Sequence, residues 1–146
     1  MEIPKKDKDT RKKEKAKRKT QKTTTKKPND KYWRNKADDL FMSKGRGLPC
    51  AVCGITKGTV YHHIIEKSRC RAMRYDIKNV IPLCQAHHCH SNELAPHSRK
   101  SIAQHRWWDW FKKNHPEQYK YCKENEYISR KYTYKQKFEE LSEEIS

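Results

Sequence analysis

The sequence predicts a small α+β domain that is flanked by α-helices and preceded by a disordered, basic N-terminal arm. Three observations support this fold class. Cysteine and histidine residues form two spaced groups, at residues 50–53 and 84–87. Two short segments rich in β-branched residues, 59–65 and 80–83, lie between these groups. Apolar residues recur at helical spacing on both sides of the region.

The composition limits both the size of the core and the class of protein. The chain has 146 residues, enough for one small domain with tails, and its net charge is +17. Only 33% of the residues are hydrophobic, so a small core needs a cross-link or a metal. The first residues form no secretory signal, and no apolar run approaches the roughly 18 residues of a membrane span. We therefore expect a cytoplasmic protein without membrane association, in which the grouped cysteine and histidine residues hold metal rather than form disulfides.

Residues 1–30 form the predicted arm. Residues 1–31 hold 14 basic and 5 acidic side chains and almost no apolar ones. Such a segment buries too little surface to offset the entropy of ordering. Two interpretations remain open: an arm that contacts phosphates and gains affinity from counterion release, or a solubilising tail.

An amphipathic helix is predicted from Asp30 onward. Its apolar face carries Trp33, Ala37, Leu40 and Phe41 at helical spacing. These side chains are expected to pack into the core, with the helix closing one side of the metal region.

Two pairs of residues are predicted to share one metal ion. Cys50 and Cys53 form a Cys-x2-Cys pair on a turn ending at Gly54, and Cys84 and His87 form a Cys-x2-His pair. Three thiolates and one imidazole at this spacing are typical of a closed, structural zinc site. The alternative is a set of free or oxidised thiols.

The segment 59–65 is predicted to be a strand that carries two adjacent histidines, His62 and His63. Neighbouring residues of a strand face opposite sides, so these histidines are expected to have different roles. A second strand is predicted over residues 80–83. A helix from Cys84 to Leu94 would then place His88 and Asn92 on one face.

A family resemblance rests on His62-His63-Ile64, Asn79 and Leu83-Cys84-x2-His87-His88. Together they resemble the HNH endonucleases, whose active site is a ββα-metal finger, and particularly the phage-encoded members with zinc knuckles. The link at residues 71–80 is also similar to that of the NinG-type recombination proteins. The resemblance covers residues 48–94 and implies a nuclease domain over residues 31–100.

The resemblance implies a role for each motif residue. His63 would be the general base that takes a proton from the attacking water, and Asn79 would hold the loop between the strands. His62 and His88 would bind one catalytic divalent ion, Mg²⁺ or Mn²⁺, with Asn92 or His90 as a further ligand.

The histidines after the second strand leave the ligand assignment open. Each of His87, His88 and His90 has the chemistry to bind either the zinc or the catalytic ion, and His87 is preferred for zinc. His97 and His105 lie outside the motif and are interpreted as exposed or structural histidines.

Basic residues lie between the two predicted strands. Arg69, Arg71 and Arg74 are predicted to contact phosphates, because guanidinium groups match phosphate oxygens in geometry. The alternative is a solvated face with an internal contact between Arg74 and Asp76.

Residues 101–146 are predicted to be a helical extension. Helices are expected from Ser101 and from Pro116, and packing is favoured over stacking on bases for the Trp-rich segment 107–111. A third, amphipathic helix carries Tyr134, Phe138, Leu141 and Ile145.

The resemblance to the HNH endonucleases implies a metal-dependent DNA endonuclease that hydrolyses phosphodiester bonds by a one-metal mechanism. Its expected partner is DNA, and two further alternatives stay open: a second copy of the chain, or phage replication, recombination or packaging proteins in a bacterial host cell. The alternative is a non-catalytic, zinc-stabilised nucleic-acid-binding protein. His63 and Asn79 favour the enzyme, because binding alone explains neither residue.

Overall fold

The computed structural model describes residues 27–146. The basic arm predicted over residues 1–30 therefore lies outside the described residues, apart from its last four. Within residues 27–146, every helix is too short or too polar to cross a lipid bilayer.

The described residues form a small α+β fold with one two-stranded antiparallel sheet, which agrees with the predicted fold class. In chain order, the elements are α1 (Asp30–Ser43), β1 (Val60–His63), 3₁₀ turns at Arg71–Met73 and Ile77–Asn79, β2 (Val80–Leu83), a π-helical turn (Ala86–His90), α2 (Ser101–Asn114), α3 (Pro116–Asn125) and α4 (Tyr134–Glu143).

The sheet pairs β1 with β2, and His63 at the end of β1 lies opposite Val80 at the start of β2. β2 matches the predicted segment, whereas β1 is shorter than the predicted 59–65. The chain leaves the strand early because the Asn79 side chain bonds both backbone groups of Ile65. The sheet therefore ends where the loop between the strands begins.

The helix predicted over residues 84–94 is wrong, because this region contains only the five-residue π-helical turn Ala86–His90. The turn ends at Ser91, whose N–H donates to the carbonyl five residues earlier at 2.7 Å and whose backbone is extended. The Ser91 hydroxyl then accepts from the backbone N–H groups of Glu93 and Leu94, at 3.1 and 3.0 Å. Asn92 consequently shares no helical face with His88.

The first cluster of buried side chains lies between the sheet and α2. Trp107 is fully buried and stacks on Phe111, with ring centroids 5.2 Å apart, and both pack beside Met73 and Leu83. The predicted packing role is confirmed for Trp107. The other two tryptophans of α2 are half-buried.

The second cluster joins α1 and α4 to the other side of the sheet. Ala37 and Phe41 of α1 pack with Tyr61 of β1 and Leu141 of α4. The predicted apolar faces of both helices are therefore used in the core. The exception is Ile145, which lies beyond the end of α4 and is exposed.

Candidate metal centre and catalytic cleft

Four ligand residues meet beside the start of β1 and the end of β2. Cys50 and Cys53 lie on a tight turn, closed by a hydrogen bond from Gly54 N–H to the Cys50 carbonyl at 2.8 Å. Gly54 has a φ of +76°, which favours glycine. Cys84 and His87 come from the segment that follows β2. The prediction that these two pairs share a site agrees with this placement.

The separations between the four ligand atoms fit a tetrahedral ion. All four lie within 4.8 Å of one another. Cys53 Sγ is 3.7 Å from Cys84 Sγ, and His87 Nδ1 is 3.3 Å from Cys84 Sγ and 3.9 Å from Cys50 Sγ. Metal–sulfur bonds of about 2.3 Å and metal–nitrogen bonds of about 2.0 Å place tetrahedral ligand atoms about 3.5–3.8 Å apart. These residues can therefore hold a metal ion.

A second cluster consists of three histidines, His62, His88 and His97, whose ligand atoms also lie within 4.8 Å of one another. Their ring centroids are 4.8 to 5.4 Å apart. His62 is buried against Trp107 of α2, and its Nε2 has no hydrogen-bond partner among the described residues. An unpartnered buried nitrogen facing two further imidazoles fits a metal site better than a packed core.

The electrostatics of this cluster favour the neutral form of His62 and His88. Burial, followed by repulsion from the neighbouring histidines, holds the pKa of His62 well below its ordinary value. Burial and His97 also lower the pKa of His88. A neutral imidazole is the form that binds a metal, so both residues are in the ligand-competent state at neutral pH.

His97 is exposed, as the sequence analysis predicted, but its place in a cluster with His62 and His88 was missed. A hydrogen bond from His97 N–H to the His88 carbonyl, at 3.1 Å, folds the segment after the π-helical turn back beside that turn. Asn92, the predicted further ligand, is exposed on the same segment, and His90 is exposed outside both clusters. The chain reverses here through a backbone hydrogen bond, which any residue can make. The sequence motif therefore could not predict that His97 joins the cluster.

His63 lies on the opposite face of β1 from His62, as strand alternation predicts. Its Nε2–H donates to the Arg74 carbonyl at 2.8 Å, and its ring packs beside Phe41 of α1. Burial lowers the pKa of His63. Because a carbonyl only accepts, the proton of the neutral ring is on Nε2, and the Nδ1 lone pair has no hydrogen-bond partner among residues 27–146.

Asn79 is fully buried and fastens the loop that begins after His63. Its Oδ1 accepts from Ile65 N–H at 2.7 Å. Its Nδ2 donates to the carbonyls of Ile65 and Met73 at 2.9 and 3.0 Å. Both ends of the loop are therefore held by one amide side chain.

Both histidines of β1 line one cleft of about 750 Å³. The cleft also contains His88 and His97 and four basic side chains, with Glu66 as its one acidic side chain among the described residues. The basic side chains are Arg34, Lys67, Arg71 and Arg74. An excess of positive charge beside these imidazoles suits a polyanionic ligand.

The three predicted phosphate-binding arginines have different surroundings. Arg69 is exposed and pairs with Glu126 at 3.2 Å, outside this cleft. Arg71 lies between the rings of Tyr132 and Tyr134, with its guanidinium carbon 4.7 and 4.5 Å from their centroids. Stacking leaves the edges of the Arg71 guanidinium partly available for an anion at the cleft wall.

Arg74 is held in an ion pair with Asp38 of α1, through hydrogen bonds of 2.8 and 2.5 Å. The alternative contact between Arg74 and Asp76 is therefore wrong. Asp76 instead accepts from Tyr121 Oη at 2.6 Å. Arg74 also contributes charge to the cleft, but its donors are largely used inside the protein.

The fold and these clusters define a small α+β protein with two candidate metal-binding sites. Comparison of the chain with family models, curated proteins and solved structures found no match. The resemblance to the HNH endonucleases therefore stays a prediction that rests on the sequence motif.

Proposed function

We propose that this protein is a metal-dependent endonuclease that hydrolyses phosphodiester bonds in DNA. The observation that carries the proposal is the cleft of about 750 Å³, which joins His63, a three-imidazole cluster and an excess of basic side chains. A protein that only binds nucleic acid needs the basic side chains. It has no use for a half-buried, neutral imidazole with a free lone pair beside a candidate ion site.

In this proposal His63 is the general base. The Arg74 carbonyl fixes the Nε2–H tautomer, so Nδ1 takes the proton from the water that attacks the scissile phosphate. The lowered pKa of His63 keeps this nitrogen unprotonated at neutral pH. Asn79 holds the adjoining loop and thereby limits the movement of β1 at its His63 end.

His62, His88 and His97 would hold the catalytic ion. Such an ion supplies charge stabilisation on the phosphate and on the leaving 3′ oxygen. Three imidazoles favour Mn²⁺, Ni²⁺ or Zn²⁺ over Mg²⁺, which prefers oxygen ligands. Of the two ions expected from the sequence, the proposal therefore keeps Mn²⁺, which accepts nitrogen ligands, and disfavours Mg²⁺.

The four-ligand cluster would hold a structural zinc. Three thiolates and one imidazole with tetrahedral separations leave no position open for substrate, which is typical of a structural ion. This ion would join the turn before β1 to the segment after β2. It would supply the cross-link that a chain with so few hydrophobic residues needs.

The substrate contacts in this proposal are phosphate contacts. Arg34, Lys67 and Arg71 line the cleft together with the histidines, and charge attraction would draw a phosphate backbone toward His63. Phosphate contacts carry no base information, so recognition is expected to depend weakly on sequence.

The direct test is cleavage of supercoiled plasmid by the full chain with Mn²⁺, Ni²⁺, Zn²⁺, Mg²⁺ or EDTA. We compare the wild type with His63→Ala and His97→Ala at equal zinc content. His105→Ala is the matched control, because His105 is exposed on α2 and lies outside the cleft.

We expect metal-dependent nicking that falls at least about 100-fold in His63→Ala, as for loss of a general base. His97→Ala should require more metal for the same rate, and His105→Ala should behave as the wild type. If the wild type shifts DNA in a gel but cuts no form of it with any ion, the non-catalytic binding protein becomes the better assignment.

A further inference from the structure

Asp38 on α1 organises the segment that contacts His63. Its carboxylate accepts from Arg74 Nε at 2.8 Å, from Arg74 Nη2 at 2.5 Å and from Tyr75 Oη at 2.9 Å. Only 12% of the Arg74 side chain and 17% of the Asp38 side chain are exposed. Two parallel hydrogen bonds between a guanidinium and a carboxylate fix orientation as well as position.

The same arginine provides the hydrogen-bond acceptor of the candidate base. The Arg74 carbonyl accepts from His63 Nε2–H at 2.8 Å, so Arg74 is held at its side chain by α1 and used at its backbone by His63. Phe41, one turn after Asp38 on α1, packs on both His63 and Tyr75, with centroids 5.9 and 5.7 Å apart. One face of α1 therefore contacts the histidine and its partner segment together.

We propose that Asp38 is a positioning residue for His63, acting through the Arg74 backbone to fix the Nε2–H tautomer. This inference rests on the proposed function, in which the free Nδ1 of His63 is the base. Without the carboxylate, the Arg74 guanidinium loses its fixed partner and the carbonyl loses its fixed direction. The imidazole then populates the other tautomer, in which Nδ1 carries the proton and cannot accept another.

Nearby charges support an ionised carboxylate in this position. Burial by itself raises the pKa of Asp38, but its hydrogen bonds to Arg74 and Tyr75 outweigh burial and lower the pKa. Lys67 approaches the same carboxylate at 3.9 Å. Removing the Asp38 charge leaves the partly buried charge of Arg74 without a partner. The segment that contains Arg74 is therefore expected to shift.

The test is Asp38→Asn in the full-length, zinc-loaded protein, with Asp39→Asn as the matched control. Asp39 is the next residue on α1, is exposed and undergoes the same chemical change. The primary measurement is the ¹⁵N spectrum of the His63 ring, which reports the tautomer without requiring activity. The second measurement is kcat and KM for plasmid nicking, and thermal unfolding verifies the fold.

We expect Asp38→Asn to add the Nδ1–H tautomer and to lower kcat about tenfold or more with KM within about twofold, as for outer partners that orient an imidazole. Asp39→Asn should leave the tautomer and kcat unchanged. If Asp38→Asn does not fold, Arg74→Lys replaces it, since lysine keeps the charge but loses the paired hydrogen bonds.

Unchanged His63 ring signals in folded Asp38→Asn would overturn the proposal, whether or not the protein cuts DNA. If the tautomer changes in Asp38→Asn but the wild type never cuts DNA, Asp38 does position His63 and the proposed nuclease function is wrong. The ring measurement and the cleavage measurement thus distinguish the two failures.

Discussion

Replacing Asn79 by alanine is expected to destabilise the protein strongly, because its amide is the hydrogen-bond partner of buried backbone groups in the described part of the chain. Asn79 is fully buried, and Ile65 is only 5% exposed. Among the described residues, the Ile65 N–H and carbonyl have Asn79 as their hydrogen-bond partner. The Met73 carbonyl also accepts from Asp76 N–H at 3.3 Å, so it retains a partner in the variant.

The expected loss of stability follows from the Ile65 N–H and carbonyl, which lose their hydrogen-bond partner in the variant. Each buried backbone group left without a partner costs about 1–3 kcal/mol, so we expect Asn79→Ala to lower the free energy of unfolding by about 3 kcal/mol. For a domain of this size, that loss corresponds to a fall in Tm of about 10 °C. It is a large fraction of the stability of about 5–15 kcal/mol that is usual for a domain.

The assay is urea unfolding followed by tryptophan fluorescence, at constant zinc concentration because metal binding contributes to stability. Asn114→Ala is the control, since Asn114 is exposed on α2 and its side chain donates to the Trp110 carbonyl at 2.8 Å. The control should lie within about 0.5 kcal/mol of the wild type. A loss below about 1 kcal/mol in Asn79→Ala would refute the reasoning, because the loop would then not depend on this amide.

Three further predictions test the four-ligand cluster, the buried His62 and the close approach of Gly45 to Tyr61. Cys84→Ala should abolish metal binding at the four-ligand cluster while Cys89→Ala keeps it, as measured by metal content per chain. Because the pKa of His62 is depressed on folding, its contribution to stability is complete above about pH 6.5 and is lost as the pH falls below that value. Urea midpoints that rise on acidification from pH 7.5 to 5.5 would contradict this. Gly45→Ala should lower the free energy of unfolding by about 1–3 kcal/mol, measured by thermal melts, because a Cβ would lie 2.6 Å from Tyr61 Cγ.

The sequence was sufficient for features that depend on short spacing. The pairs Cys50–Cys53 and Cys84–His87 each lie within one turn, so their spacing already places two ligands on one side of the chain. The sequence also predicted that His62 and His63 face opposite sides of the sheet, because alternation along a strand depends only on neighbouring residues. Pairing of the two strands then brings the local groups together.

The features that escaped prediction depend on contacts between distant segments. His97 joins His62 only because the chain reverses after a π-helical turn, and an ordinary helix would have carried it away. Asp38 pairs with Arg74 because α1 packs beside the loop that follows β1. Neither juxtaposition has a periodic signal, and the nearer acid, Asp76, was the more obvious partner in sequence.

The C-terminal helices contribute to the candidate site as well as to the core. Trp107 of α2 packs against His62, with ring centroids 5.1 Å apart, so a candidate ligand is held by a residue outside the motif. Leu141 of α4 packs with Phe41 of α1, and Phe41 contacts His63 on the other face of the sheet. Residues that follow segment 48–94 therefore support His62 directly and His63 through Phe41. Removing α2–α4 would uncover both core clusters, so the motif segment is not expected to fold or to bind the second ion on its own.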